Sequence, residues 1–343
     1  MPARSEEGGI SFGLLLHTRH LIRDGQTADF SALWRQAEEA EAAGYDDIWL
    51  GDSITTLERA RGDCLTLMAA LAMATRKVLI GTVPLLMSLR HPVALAHSLA
   101  TIDVISKGRL RIGASPGPIA PYIARQFEAC GVPAGEKAGR LGETIELCRR
   151  LWTEDRVTFH GKYFHLDNEG ILPKPVQKPS IPIWLATGGS LSEPPLRRVA
   201  RLADGWLSTG PTPEAFAASR RTIDGYAGEY GRTPGDLAPS LLFAALRLDT
   251  NGERAREDGW TWMEAFFQRP RARLEGTYTP IFGTVAECTA LLGRYAAAGM
   301  TGVIARIASD DLAAQTELLL NAVKPMLRGR RDAAGVAPTL HLI

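Results

Sequence analysis

Residues Thr187-Gly188-Gly189-Ser190 follow an apolar run and precede a stretch that opens with Ser192 and carries Pro194 in its first turn. Glycines there let backbone N–H groups approach a ligand, and the start of a helix favours negative charge, so the segment suits a phosphate. A Gly-Gly turn can equally do no more than join a strand to a helix. A second loop, Gly113-Ala114-Ser115-Pro116-Gly117-Pro118, is too rigid and too poor in side chains for acid–base work, and reads as a surface on which a flat ligand can lie. His17 offers an imidazole that titrates near neutral pH. Asp52 offers a carboxylate, and Arg306 a guanidinium able to pair with an anion or, as the bland reading, to close a salt bridge.

Other chemistries lack their residues. Among seven histidines there is neither an HxH pair nor an HExxH, so no catalytic metal site is expected. A glycosidase needs two carboxylates at neighbouring strand ends, and only Asp52 qualifies. Gly113-Ala114-Ser115-Pro116-Gly117 matches the spacing GxSxG, but its proline falls where the helix of a nucleophile elbow should begin, so the match reads as accidental.

The elements that must position these residues alternate. Short apolar strands are expected at Ile10–Leu16, Asp47–Gly51, Val78–Val83, Arg109–Ala114, Ile181–Ala186, Gly205–Thr209, Pro239–Leu248 and Thr301–Ile307, with amphipathic helices between them. In Asp29–Ala43, for instance, Phe30, Leu33, Trp34, Ala37 and Ala40 share one face, Asp29 is placed to cap the start and Gly44 to end it. Nearly continuous apolar strands, each followed by a helix, describe a parallel sheet buried on both faces, and eight such units fit a (β/α)8 TIM barrel. In that fold the residues just after the strands form the active site, which is where His17, Asp52, Ser115, the 187–190 loop and Arg306 fall. Two insertions are expected: a β-hairpin at Arg156–Leu166, and a region at Asp249–Gly283 with an aromatic helix from Trp260 to Phe267, followed by irregular chain. The second could be a lid over the barrel or a further layer of core. The division expected is a flexible N-terminus at residues 1–9, a single domain at 10–328 and a tail at 329–343.

Composition sets the partners. Across 343 residues, 39 Lys plus Arg face 38 Asp plus Glu without a basic block, so nucleic acid is not expected. The most apolar stretch, Leu65 to Ala74, is far below the ~18 residues that span a bilayer. Met1 to Gly9 is polar with no secretory leader, and four scattered cysteines without a CxxC fit a reducing compartment, so a cytoplasmic protein is expected. The assembly expected is a homodimer.

Several segments, in order, resemble the bacterial luciferase-like superfamily of flavin- and deazaflavin-dependent oxidoreductases: Ala42-Ala43-Gly44-Tyr45-Asp46-Asp47-Ile48-Trp49-Leu50-Gly51-Asp52, Leu79-Ile80-Gly81-Thr82-Val83-Pro84 with Arg90-His91-Pro92, residues 100–109 with Gly113, Pro173-Lys174-Pro175-Val176-Gln177, Pro182-Ile183-Trp184 and Ala203-Asp204-Gly205-Trp206. The resemblance covers most of residues 12–209 and fades beyond 230. It implies a TIM-type barrel holding reduced FMN or coenzyme F420, with Thr187, Gly188, Gly189 and Ser190 on the phosphate and Ser115 in the contact surface. It also implies an unusual cis peptide after Val83, beneath the ring system; since the next residue is Pro84, a cis Val83–Pro84 bond is expected. Two departures stand out. Many members carry Asp-His where this chain has Asp52-Ser53, and luciferase carries a phosphate-binding arginine where this chain has Pro116. His17 is then the imidazole left to protonate or orient a substrate, with Asp52 and Arg306 completing the candidate catalytic set, while Arg90 and His91 are expected to cap and pack.

The activity implied is a monooxygenase that uses reduced FMN, supplied by a separate reductase, and oxygen to oxidise a small organic substrate. The alternatives are an F420-dependent reductase or dehydrogenase transferring hydride, and a flavin-binding protein without catalysis.

Overall fold

The structure is a computed structural model that describes residues 9–18, 29–55, 61–188, 192–210, 212–237 and 239–327. The tail at 329–343 and all of the N-terminal segment except Gly9 lie outside the described residues.

Eight parallel strands close into a barrel: β1 (Ser11–Leu15), β2 (Asp47–Leu50), β3 (Leu79–Thr82), β4 (Leu110–Ala114), β7 (Ile183–Ala186), β8 (Gly205–Ser208), β9 (Ser240–Leu248) and β11 (Gly302–Ile307), with β9 pairing both β8 and β11 to complete the ring. Each expected strand is present, shortened by one or two residues at its ends. Helices α1 (Ser31–Ala43), α2 (Cys64–Ala74), α3 (Pro92–Ser106), α5 (Lys137–Thr153), α6 (Glu193–Leu202), α7 (Pro213–Glu229) and α9 (Val285–Ala297) follow the strands. Alternate strand residues such as Phe12, Ile48, Ile80 and Ile112 face outward into the main core against these helices. Burying each such side chain contributes roughly 1.5–3 kcal/mol.

Several features correct the sequence reading. The hairpin of β5 (Val157–His160) and β6 (His165–Glu169) is antiparallel as expected but runs on past Leu166. The chain after the aromatic helix α8 (Gly252–Phe267) is not wholly irregular: Thr279–Gly283 forms a strand, β10, parallel to the upper half of β9. The lower half of the nine-residue β9 pairs with β8 through Ser240–Leu242, and β10 takes over that edge from Ala244 onward. Helix α4 (Pro121–Ala129), after β4, was not anticipated, and the last expected helix divides into α10 (Leu312–Glu317) and a π-helical segment, Leu318–Val323. In α1 the cap position falls on Phe30; the Asp29 carboxylate instead accepts the Ser31 N–H at 2.8 Å, while Gly44, at φ 95°, ends the helix as expected.

Inside the barrel, Leu15, Trp49, Val83, Trp184, Leu207, Leu241 and Ile304 form a separate cluster. The Trp49 and Trp184 rings lie 5.7 Å apart at 34°. Gly81 is required here, because any side chain at that position would run into the Trp49 ring. The Trp49 indole N–H donates to the fully buried Asp47 carboxylate, and burial raises the Asp47 pKa to about 7. With the interior filled, the carboxyl rim is where a barrel of this kind builds its site.

Candidate active site at the carboxyl rim

Sequence reasoning placed Val83 and Pro84 at the end of β3, and the bond between them is cis. The chain beyond it is held on two sides. Leu85 N–H donates to the Gly113 carbonyl at 2.6 Å and the Leu85 carbonyl accepts Ser115 N–H at 3.2 Å, tying the bend to β4. Leu86 N–H donates to Asp52 Oδ2 at 3.1 Å, tying it to the end of β2. Asp52 also receives both guanidinium nitrogens of Arg90, at 2.7 and 3.0 Å, with the Asp52 side chain 1% exposed and that of Arg90 13%. Arg90 reaches on to Asp63, the N-cap of α2, at 3.3 Å. Burial opposes the Arg90 charge, but the bond to Asp52 outweighs it and holds the guanidinium pKa above its ordinary value. This arrangement makes Asp52 a carboxylate that fixes a loop; Arg90, expected only to cap and pack, is its unanticipated partner. His91 does cap α3, its ring accepting Val93 N–H at 3.4 Å.

The loop 113–118 is pinned as well. Ser115 Oγ accepts Gly117 N–H at 2.9 Å, and Lys137, at the start of α5, donates to the Gly117 and Pro118 carbonyls at 3.1 and 2.8 Å. Burial lowers the Lys137 pKa. Nothing in the sequence pattern distinguished this lysine from a surface residue.

At the end of β7, Thr187 Oγ1 accepts the Trp206 indole N–H at 2.9 Å and donates to the Gly188 carbonyl at 3.3 Å, so this hydroxyl holds the turn. Gly188 is exposed in the left-handed region at φ 64°, and among the described residues a Cβ there would meet only Thr209 Oγ1 at 3.9 Å. Gly189 and Ser190 lie outside the described residues; Ser192 holds the N-cap position of α6, with proline in the first turn as expected. A left-handed glycine at the rim and the firmly held Val83–Pro84 and 113–118 segments fit a flat, phosphate-bearing cofactor of the FMN or F420 type.

On the far side of the rim, His17 follows β1 and Arg306 lies in β11, and α8 brings aromatic rings onto both. The His17 ring stacks on Trp262 at 5.3 Å and 29°, and lies 5.5 Å from Phe266. Arg306, 6% exposed, has its guanidinium 5.0 Å from the Phe266 and Phe267 rings and 5.2 Å from Phe243. Trp262 is fixed from behind, its indole N–H donating to Asp310 at 2.9 Å. The expected further layer of core is present: Trp260, Met263 and Phe267 are buried in a separate cluster, and Trp262 and Phe266 pack partly buried against it. Across the opening, Arg269 beyond α8 lies 5.9 Å from the Tyr122 ring on α4. His17 and Arg306 thus both lie against the Phe266 ring of α8, and Asp52 is paired with Arg90. Among the described residues no cluster of His, Cys, Asp or Glu could hold a metal ion, and no helix is long and apolar enough to cross a membrane.

This is a TIM barrel whose candidate site lies at the carboxyl rim. The family model described as luciferase-like monooxygenase matches residues 10–302, and the chain belongs to that family of oxidoreductases. It is 29% identical over 233 residues to the F420-dependent glucose-6-phosphate dehydrogenase of Nakamurella multipartita, covering 66% of each chain. It is 33% identical over 234 residues to the enzyme of the same name from Amycolatopsis mediterranei, covering 66% of this chain and 68% of that one. These alignments span about two thirds of the relatives' own length. Among solved structures, a monooxygenase from Streptomyces bottropensis superposes with a TM-score of 0.76 at 23% identity, over 92% of this chain and 99% of that one. An F420-dependent secondary alcohol dehydrogenase bound to an F420–acetone adduct superposes at 0.74 and 18%, over 93% and 99%. At these identities the likeness shows the fold.

Proposed function

We propose that this chain is a coenzyme F420-dependent oxidoreductase that transfers hydride between the deazaflavin and an alcohol or its carbonyl counterpart. The observation that carries the reading is that His17 and Arg306 both lie against the Phe266 ring of α8, in a chain whose curated relatives include F420-dependent dehydrogenases. The family description names monooxygenation, but the curated relatives aligned over about two thirds of their length are F420-dependent dehydrogenases, which favours hydride transfer.

Thr187 and Gly188, with the following turn, would hold the cofactor phosphate, and the Val83–Pro84 bend and the 113–118 loop would support its ring. Bound there, the deazaflavin supplies a two-electron hydride acceptor or donor and does the difficult step. The chain's own residues bind, orient and exclude water. The His17 imidazole takes the proton of a substrate hydroxyl, or returns it to a carbonyl oxygen, and its contact with Trp262 fixes the plane in which it does so. Arg306 places a positive charge near that oxygen, where negative charge develops. Asp52 acts one step back, keeping the Val83–Leu86 segment in place through Leu86 N–H and Arg90.

The experiment is anaerobic mixing of the protein and F420 with a panel of alcohols, followed by the loss of the deazaflavin's visible absorbance. Reduction that depends on His17 supports the proposal. Oxygen uptake with reduced FMN, and no F420 reduction, would reject it.

A further inference from the structure

The first and last units of the barrel meet along a seam, where β1 pairs with β11 and α1 faces α10 and its π-helical continuation. The last helix is tied to the chain that follows α1. Lys324 Nζ donates to the Gly44 carbonyl at 2.9 Å and to Asp46 at 2.8 Å, and Tyr45 Oη lies 3.2 Å from Thr316 Oγ1. Between the two helices so held is a preformed cleft of about 320 Å³. Leu14 of β1, Ala40 of α1, Leu312 and Leu320 give it an apolar lining, and Glu39 and Glu317, one from each wall, add two exposed carboxylates.

The chain leaves this same helix after Leu327, through Arg328-Gly329-Arg330-Arg331 and a run of mostly small residues to Leu340-His341-Leu342-Ile343. Its two parts match the two parts of the cleft: three arginines for the pair of glutamates, and aliphatic side chains for the apolar lining. The reach is sufficient. Leu320 lies about 10 Å back along the helix from Leu327, and residues 328–339 can span up to about 40 Å, with Gly329, Gly335 and Pro338 available to turn the chain. In an extended segment Leu340 and Leu342 share one face and His341 takes the other. Burying those leucines removes apolar surface from water, which favours the docked chain.

From this match we infer that residues 328–343 fold back into the cleft between α1 and the last helix. Leu340 and Leu342 pack on Leu14 and Leu320, and Arg330 and Arg331 pair with Glu39 and Glu317. The tail is then a clasp across the seam that joins the first unit of the barrel to the last.

The test is photocrosslinking in the full chain, with p-benzoylphenylalanine in place of Ala313, an exposed residue of the cleft, and as a control in place of Tyr230 at the end of α7. Mass spectrometry should join position 313 to residues 336–343 of the same chain, at least about tenfold more often than position 230. Leu340→Asp/Leu342→Asp should lower that yield by at least about tenfold. Glu39→Lys/Glu317→Lys should lower it by roughly fivefold, and adding Arg330→Glu/Arg331→Glu should restore it. Thermal unfolding of each variant separates loss of docking from loss of the fold. Equal yields from positions 313 and 230 would overturn the inference. So would crosslinks formed only between isotopically distinct chains, which would give the cleft to a second copy, crosslinks only to residues 1–28, or a yield that either the leucine or the glutamate substitutions leave within about twofold.

Discussion

Asp52 and Arg90 form a bidentate ion pair, at 2.7 and 3.0 Å, directly behind the Val83–Pro84 bend that the cofactor ring is proposed to lie on. Both groups are largely removed from water, and Asp52 also holds Leu86 N–H. Removing one partner leaves the other charge buried, so Asp52→Ala should lower stability by about 3–5 kcal/mol in urea unfolding. The double variant Asp52→Ala/Arg90→Met should recover part of that loss. Equal losses in the single and double variants would show that the pair carries no such coupling.

Asp47 predicts a pH dependence. Its carboxyl is pushed up from an ordinary value of 3.8 to about 7 in the folded state, because it is buried inside the barrel. The folded state therefore holds a proton that the unfolded state releases between these two values, and stability falls as pH rises through that window. Asp47→Asn keeps an acceptor for the Trp49 indole without the charge. It should stabilise the protein by on the order of 3–5 kcal/mol at pH 8 and by little at pH 4. Melting temperatures of the two proteins across that range check the sign; a constant difference would contradict it.

His17 should carry the proton. His17→Ala should lower kcat by roughly 10²–10⁴-fold while changing F420 affinity little, since the imidazole faces the substrate side of the rim. Steady-state kinetics beside fluorescence titration of the cofactor separate the two effects. A loss confined to cofactor binding would reassign the residue.

Most of the barrel was legible in the sequence because strands buried on both faces are nearly continuous apolar runs, as in Asp47–Leu50 and Ile183–Ala186. The strand that escaped notice, Thr279–Gly283, contains Pro280 and ends in glycine. It pairs with β9 alone, and an edge tolerates a residue that cannot donate to a ladder. The site was only half legible. The positions of His17, Asp52, Ser115 and Arg306 followed from strand ends. The partner of Asp52 lies 38 residues away and the clamp on the 113–118 loop comes from Lys137, contacts that only the closed barrel creates. The spacing of Trp262 and Phe266 was visible, but a pair at i and i+4 reads as core until a partner such as His17 is seen against it.

Equilibrium dialysis of F420 and FMN against the wild-type protein and Gly188→Val asks whether the rim near residue 188 holds a deazaflavin through its backbone. Valine at a φ of 64° forces a backbone that costs a β-branched residue about 1–2 kcal/mol, and among the described residues its Cβ would meet only Thr209 Oγ1 at 3.9 Å. F420 should bind the wild type at least about tenfold more tightly than FMN does, and the substitution should weaken F420 by roughly tenfold. Tighter binding of FMN, or F420 binding that ignores the substitution, would contradict it.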